Sequence, residues 1–380
     1  MSIINRYLRR EILLPFLYAL LVIIFMLLLG QLFKIVSMVV SEGVKLWDVI
    51  RLVTAMIPQM MTMALPLAFF FAVLAGIGRL VGDGEITALE AAGISPYQLL
   101  QPILQLAAVC TMLTMLMSAW LAPWGMRQVR RVTFTILRDK VTLALRPRVL
   151  NLAFPGMTIY LGGIDRESGR LLSIFIEDRR NRKLPQTITA LNGRLVSDMR
   201  SSTLSLQLEN GTIHEYDPEK ESYRVTDFQE YKVNFAISAL LGDKLHVGMK
   251  NKSMSNSELW LKIKRKRKLG LDHTGALANL FERFSQPFAC FAFALLGLAL
   301  ALKPIRSEAR AKGFVWGLSI VLSYHVSNLI VDYLTGCKPE FALVFFFLPN
   351  LIFIALGLGL ITAKQHGTSF SLRLRHRQPD

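Results

Sequence analysis

An α-helical integral membrane protein, with six transmembrane helices split three and three around an inserted extracytoplasmic all-β domain, is the architecture this chain predicts. Three observations carry it. Hydrophobic residues fill 52% of the 380 positions, and the mean hydropathy is positive, outside the ordinary soluble range. Six charge-free runs are each long enough to cross a bilayer as a helix. Between the third and fourth lies a long stretch rich in charges and turn residues, whose apolar positions alternate.

The runs are Ile12 to Phe33, Leu52 to Gly78, Ala91 to Met126, Phe284 to Leu302, Gly313 to Val331 and Phe341 to Ala363. No small-residue cleavage site follows the first, and it is long for a signal-peptide core, so it reads as a retained anchor. Residues 1–123 thus hold spans one to three. Residues 124–279 form the β domain with its flanking linkers, and 280–380 hold spans four to six and a basic tail.

Within the middle stretch, "MTIYL" (157 to 161), "LSIFIED" (172 to 178), "TLSLQLENG" (203 to 211) and "YRVTDFQEYKV" (223 to 233) alternate at every second position, the period of a half-buried strand. Gly162-Gly163, Glu167 to Gly169, Asn192-Gly193, Asn210-Gly211 and Asp217-Pro218 read as turns between strands. Short strands at this spacing predict a sandwich or jelly roll.

Orientation follows from Lys and Arg in the short segments, which resist translocation. With a cytoplasmic N-terminus, the inner segments hold twelve: Arg6, Arg9, Arg10, Arg79, Lys303, Arg306, Arg310, Lys312, Lys364, Arg373, Arg375 and Arg377. The outer loops hold four: Lys34, Lys45, Arg51 and Lys338. Both termini are therefore expected inside and the β domain outside. "KIKRKRK" (262 to 268), beside span four, runs against this, although long domains translocate largely regardless of charge. The run reads as a contact for anionic lipid headgroups or as a solvated helix face.

Three cysteines decide little. Cys110 and Cys290 fall inside spans and Cys337 in a short outer loop, so neither a metal cluster nor a disulfide framework is expected. The chain also lacks a phosphate-binding loop, a nucleophile elbow, a zinc-protease motif and a dinucleotide fingerprint. Any ATP hydrolysis belongs to a partner, and no cofactor is expected. One polar group at membrane depth stands out: Ser323, Tyr324, His325, Ser327, Asn328 and Asp332. His325, Asn328 and Asp332 share a helix face. They are either an acid–base pair or, more simply, polar residues that pack against another helix.

The stretch "GDGEITALEAAGIS" (82 to 95) sits between spans two and three, on the cytoplasmic side. Asp83 is placed to cap a short helix, Glu85 and Glu90 lie within it, and Gly93 and Pro96 stop it. In a chain that reads as a transporter without a nucleotide site, an acidic surface helix here is what an element coupling it to a separate ATPase would be. A plain solvated connector is the competing reading.

"RYLRRE" (6 to 11), "GEITALEAAGIS" (84 to 95), "VTDFQEY" (225 to 231), "RFSQPFACFAFALLGLAL" (283 to 300) and "FLPNLIF" (347 to 353) together resemble the LptF/LptG family, the membrane permeases of the lipopolysaccharide export ABC transporter. "VTDFQEY" is closer to the F-type subunit. The resemblance implies a bacterial inner-membrane location, a periplasmic β-jellyroll and a heterodimer of two LptF/LptG-type permeases. It also implies a cytoplasmic ABC ATPase dimer engaging the helix near 83–93 through Glu85, flanked by Asp83 and Glu90, and LptC-like and LptA-like bridge proteins that receive the lipopolysaccharide. Lys34 resembles the position of a basic residue that faces lipid phosphates, and Lys45 and Arg51 in the first outer loop are further candidates. Apolar walls on spans one, two and five are expected to line a cavity for the acyl chains. The net charge of +17 suits anionic lipid, and nucleic acid is disfavoured because the basic residues flank spans. The alternatives are a lipoprotein-releasing type permease, a membrane enzyme using His325 and Asp332, and an envelope scaffold.

Overall fold

The computed structural model describes residues 2–42, 46–144, 147–154, 156–165, 170–180, 185–198, 203–217, 222–235, 251–302 and 309–365. Two compact units result, one from Met1–Arg127 with Asn251–Asp380 and the other from Gln128–Lys250.

In the first unit, long apolar runs make long helices because a backbone with no water beside it must satisfy its hydrogen bonds internally. These are α1 (Ser2–Glu42), α2 (Leu46–Gly82), the short α3 (Glu85–Ala91), α4 (Pro96–Leu116), α5 (Ala122–Ala144), α6 (Asn256–Lys268), α7 (Thr274–Ser285), α8 (Ala289–Ala301), α9 (Ala309–Cys337) and α10 (Ala342–Gln365). One π-helical turn, Met117–Leu121, joins α4 to α5, and a 3₁₀ turn, Gln286–Phe288, joins α7 to α8. Among the described residues, six helical stretches are long and apolar enough to span a membrane: Ile3–Gln31, Leu46–Gly82, Gln98–Thr133, Thr274–Ala301, Val315–Cys337 and Pro339–Ala363.

At the centre lies α8, whose sequence ACFAFALLGLALA is apolar on every side and almost wholly buried. Its small residues let other helices approach closely, the usual packing mode where lipid leaves no hydrophobic force between helices. Leu295 and Leu298 meet Phe69, Val73 and Ile77 of α2, Ile103 and Ala107 of α4, and Leu8 and Ile12 of α1 in one cluster. By contrast, α1 is 6% buried over its apolar window and α9 22%.

The middle stretch departs from expectation at both ends. Residues expected to be linker from 124 onward continue span three as α5, the sheet unit beginning at Gln128, and within 256–279, expected in the middle domain, lie α6 and the start of α7, both of the membrane unit. The strands occupy β1 (Leu150–Phe154), β2 (Met157–Ile164), β3 (Leu171–Asp178), β4 (Gln186–Asp198), β5 (Thr203–Asp217) and β6 (Ser222–Phe235). They form one antiparallel sheet in sequence order, a meander.

Three of the expected turns are not turns. Gly162-Gly163, Asn192-Gly193 and Asn210-Gly211 lie in mid-strand. The ladders show why. From β2 to β6 pairing runs regularly except at one row, Gly162, Ser173, Leu191, Asn210 and Gln229, which is skipped in all four ladders. At that row the inward side chains shift phase in every strand. Leu161 is followed by Ile164, Ile174 by Leu171, Tyr231 by Phe228, each an odd step, yet all belong to one core. Ser173 and Asn210 take positive φ of 49° and 52° there.

One extra residue per strand, aligned across the sheet, bends it without a change of register, as bulges do singly. Both halves thereby line one apolar interior. Glycine is required where strands come closest: a Cβ on Gly211 would sit 2.1 Å from the Thr189 carbonyl oxygen and 2.5 Å from Phe228. The Glu167 to Gly169 turn and Pro218 fall outside the described residues, as do the tail positions 366–380.

At the end of β3, Asp178 accepts from the backbone N–H of Arg180 at 3.0 Å and from its Nε at 2.9 Å. Partial burial pushes the Asp178 carboxyl up, but the Arg180 guanidinium outweighs it and holds the carboxyl below its usual range.

Gly211→Ala is expected to cost the protein about 1–3 kcal/mol by overpacking, read as a lower thermal midpoint in detergent, whereas Gly336→Ala, with open space around it, does not lower the midpoint. Because the folded pKa of Asp178 is depressed, its contribution is present above the unfolded carboxylate range and is lost as pH falls through the folded value. An Asp178→Asn variant is therefore expected to be less stable at neutral pH and to show a shallower loss below about pH 4, measured by thermal unfolding across pH.

Candidate functional site

The acidic segment folds as a short helix clamped onto the start of α1. α2 ends at Gly82, and Asp83 donates its N–H to the Arg79 carbonyl at 2.9 Å, so Asp83 continues the last turn of α2. It does not cap α3 as expected. Gly84, at φ 77°, holds the cap position, and the Asp83 carboxylate lies 3.6 Å from Arg79 instead. At the other end, Gly93 (φ 85°) donates to Glu90 and Ile94 to Leu89, each at 3.0 Å, a glycine-terminated helix stop. Ser95 then opens α4, with its N–H bound by the Gln98 side chain at 3.2 Å.

Ile86, 2% exposed, plugs α3 into the cluster containing Leu8, Ile12, Leu80 and Leu99. Tyr7 Oη donates to Glu85 Oε2 at 2.8 Å, and Arg79 bridges back to Glu11 at 3.1 Å. Glu85 is thus half-buried against α1, while Glu90 stands exposed. Sequence reasoning found the acids but not Tyr7 and Glu11, although both fall within or beside the "RYLRRE" motif. Residues seventy-eight apart in the chain carry no local signal of contact.

Of the three basic candidates, Arg51 is in α2 and not in a loop. It is exposed, with its guanidinium 5.5 Å from the centre of the Trp47 ring. Lys34 lies within α1, which runs two turns beyond it, but its side chain is outside the described residues, and so is the whole of Lys45. Among the helices expected to wall a cavity, α1 and α9 turn apolar side chains outward, with Leu21, Phe25 and Met26 on the first and Trp316, Leu322 and Leu329 on the second. Most of α2 is buried in the bundle, 67% of its apolar window.

The polar group on α9 is divided. Tyr324, not His325, is buried, and its hydroxyl donates to Asn350 Oδ1 at 2.9 Å. Asn350 in turn donates to the Ser285 carbonyl at 2.9 Å and to Ser285 Oγ at 3.0 Å, and Ser285 Oγ donates to the Phe346 carbonyl. "RFSQPF" and "FLPNLIF" therefore meet in space. Asn350 thus meets the backbone two residues before Pro287, and α7, α9 and α10 are tied by one chain of polar groups. Asp332 is exposed and no hydrogen bond joins it to His325, whose Nε2 is buried without a partner. The acid–base pair is not assembled. Cys337, expected in a loop, ends α9 as an exposed thiol, and Cys110 and Cys290 are free and buried.

Arg283 of the same motif is 7% exposed and donates to four acceptors: the carbonyls of Asn251, Lys252 and Met254 and Oδ1 of Asn256, at 2.8–3.2 Å. It gathers the segment that leads from the sheet unit back into the membrane unit. No group of metal-ligating side chains occurs among the described residues.

These arrangements fall along a chain whose likeness to known proteins is extensive. The family model described as lipopolysaccharide export system permease LptF/LptG matches residues 6–363. The chain is 23% identical over 359 residues to the lipopolysaccharide export system permease protein LptF of Escherichia coli K12, covering 94% of each chain. Identity to the LptG protein of the same organism is 24% over 315 residues, 81% of this chain and 83% of the relative. An uncharacterised protein of Rickettsia prowazekii is 22% identical over 334 residues.

Asn350→Leu is expected to remove the bonds to the Tyr324 hydroxyl, the Ser285 carbonyl and Ser285 Oγ and to cost about 1–3 kcal/mol, seen as a lower unfolding midpoint in detergent. Tyr324→Phe, which removes one bond only, is expected to cost less.

Proposed function

Because the chain belongs to the LptF/LptG family of lipopolysaccharide export permeases, we propose that it is the F-like transmembrane subunit of an ABC transporter that lifts lipopolysaccharide out of the inner membrane and passes it to a periplasmic bridge. The observation that carries this is the family match across 6–363, which takes in all six spans, α3 and the sheet. The family is a multi-pass permease family, and its LptF and LptG members are export permeases rather than enzymes.

Extraction exposes acyl chains, at about 0.8 kcal/mol per CH₂, so the transporter must offer an apolar surface in place of the bilayer. In our reading, the outward faces of α1 and α9 supply it together with a second LptF/LptG-type permease, and flexible side chains such as Met26 adapt to the acyl chains. Lys34, Lys45 and Arg51, near the junction of α1 and α2, then meet the phosphorylated headgroup. Both termini are cytoplasmic and the sheet periplasmic. The sheet's apolar interior shields acyl chains on the way to LptC-like and LptA-like proteins.

ATP hydrolysis belongs to a cytoplasmic ABC ATPase dimer that docks on α3. Glu85 is held at the bundle edge by Tyr7, so a force on α3 passes into α1 and α2 through Ile86 and the Glu11–Arg79 pair. Asp83 and Glu90 add negative charge to the docking face.

Tagged chain isolated from membranes in mild detergent is expected to bring down an ATPase, a second six-span permease and lipopolysaccharide, identified by mass spectrometry; recovery of the chain alone overturns the proposal. Glu85→Lys is expected to weaken ATPase retention by about 2 kcal/mol or more with the sheet still folded. Undiminished co-purification of that variant removes the docking role from Glu85.

A further inference from the structure

The basic run at 262–268 has no part in the function above, and the structure gives it a definite setting. It is the C-terminal half of α6, capped at its start by Ser255, whose Oγ accepts from the Glu258 N–H at 3.3 Å. Leu259 and Ile263 form the buried stripe and pack on Ala276, Leu277 and Leu280 of α7 and on Ala342 of α10. α6 therefore lies along the first turns of a membrane span, Thr274–Ala301, beside the start of another, Pro339–Ala363. The linking turn is fixed: Lys266 Nζ donates to the Asp272 carbonyl at 2.6 Å, and Asp272 accepts the Thr274 N–H at 2.9 Å.

Helical spacing sends the remaining side chains away from that stripe. Lys264, Arg265, Arg267 and Lys268 are exposed, and none has a carboxylate partner among the described residues. Favourable interaction with the helix C-terminus accounts for one or two cations in a last turn, not for four exposed ones. The same outward arc carries Trp260, 57% exposed, and Leu261, 64% exposed, and Leu269 and Leu271 follow, also exposed. A face meant only for water has no use for an indole and three leucines. Tryptophan among lysines and arginines at the mouth of a span matches the chemistry of a bilayer interface.

We infer that the outward face of α6 is an attachment surface for anionic phospholipid headgroups of the leaflet that α7 enters, with Lys264, Arg265, Arg267 and Lys268 against the phosphates and Trp260 and Leu261 at the acyl boundary. The inference rests on the chain spanning a membrane and not on what it transports. It also accounts for a basic segment beside span four: the cations are held by the surface they meet. Each cation near an anionic surface strengthens attachment roughly fivefold, so the four together dominate the preference of this helix for charged over neutral lipid.

The full chain, reconstituted separately into vesicles of bromine-labelled phosphatidylcholine and into vesicles containing bromine-labelled phosphatidylglycerol, tests this. The difference in quenching between the chain and its Trp260→Phe variant isolates Trp260 from the other four tryptophans, whose quenching by both lipids reports insertion of the spans. The expected result is about twofold or greater quenching of Trp260 by the phosphatidylglycerol label over the phosphatidylcholine label. That preference is expected to vanish when Lys264, Arg265, Arg267 and Lys268 are all replaced by Gln. Trp260 unquenched in inserted protein, or quenched equally by both lipids with and without the four cations, overturns the inference while the membrane reading stands. Relief of the phosphatidylglycerol quenching by stoichiometric unlabelled lipopolysaccharide also overturns it, because the surface then serves the transported lipid and not the surrounding leaflet.

Discussion

A backbone carried to membrane depth must find its hydrogen-bond partners inside the protein, and the arrangement of the helical unit follows from that constraint. The spans turn and break at Pro287 and at the π-helical stretch between α4 and α5. Beside the first of these, Asn350 donates to the Ser285 carbonyl. The link from Tyr324 through Asn350 to Ser285 then does two things at once. It adds a donor to the Ser285 carbonyl in the apolar interior, and it sets the rotation of α9 and α10 about their axes, since Tyr324 must face Asn350 and Asn350 must face Ser285. The small residues of α8 complete the scheme by letting neighbouring backbones close around a helix with no polar face of its own.

The same economy governs the end of the bundle that bears α3. A seven-residue helix has too few hydrogen bonds to stand alone, and its glycine-bounded ends leave its direction to tertiary contacts. Ile86 supplies the anchor and Tyr7 the orientation, so α3 moves with α1 and α2 or not at all. At the opposite approach, Arg283 gathers four acceptors on the returning chain, which makes that chain segment as firmly seated as a helix.

Much of this was legible from residue order alone. Length and apolarity disclose spans without ambiguity, so the six helices and their three-and-three division could be read directly, as could the short acidic helix and four of the six strands. β1 and β4 were not legible. In β4, Asn192-Gly193 imitates a turn, and the phase shift of its inward residues, Ile188 and Ala190 and then Leu195, defeats any search for strict alternation. The far limit of the middle domain was harder to read for a related reason: α6 and the start of α7 are polar enough on one side to look like part of a soluble region. At the candidate sites the acids were visible by composition, whereas Tyr7, Ser285 and Asn350 matter through neighbours brought close only by folding. His325 and Asp332 share a helix face, which spacing shows, but sharing a face does not make two side chains touch.

The crease across the sheet carries a consequence for how such a domain can change over generations. Because the extra residue occurs in the same row of β2 through β6, no strand can gain or lose a residue on one side of that row by itself: its inner and outer faces would exchange places relative to its neighbours. Insertions and deletions are thereby excluded from the strands and directed to the connections between them. The sheet is free to vary in what its faces display and in the loops at its rims, but the bend itself is inherited as a unit.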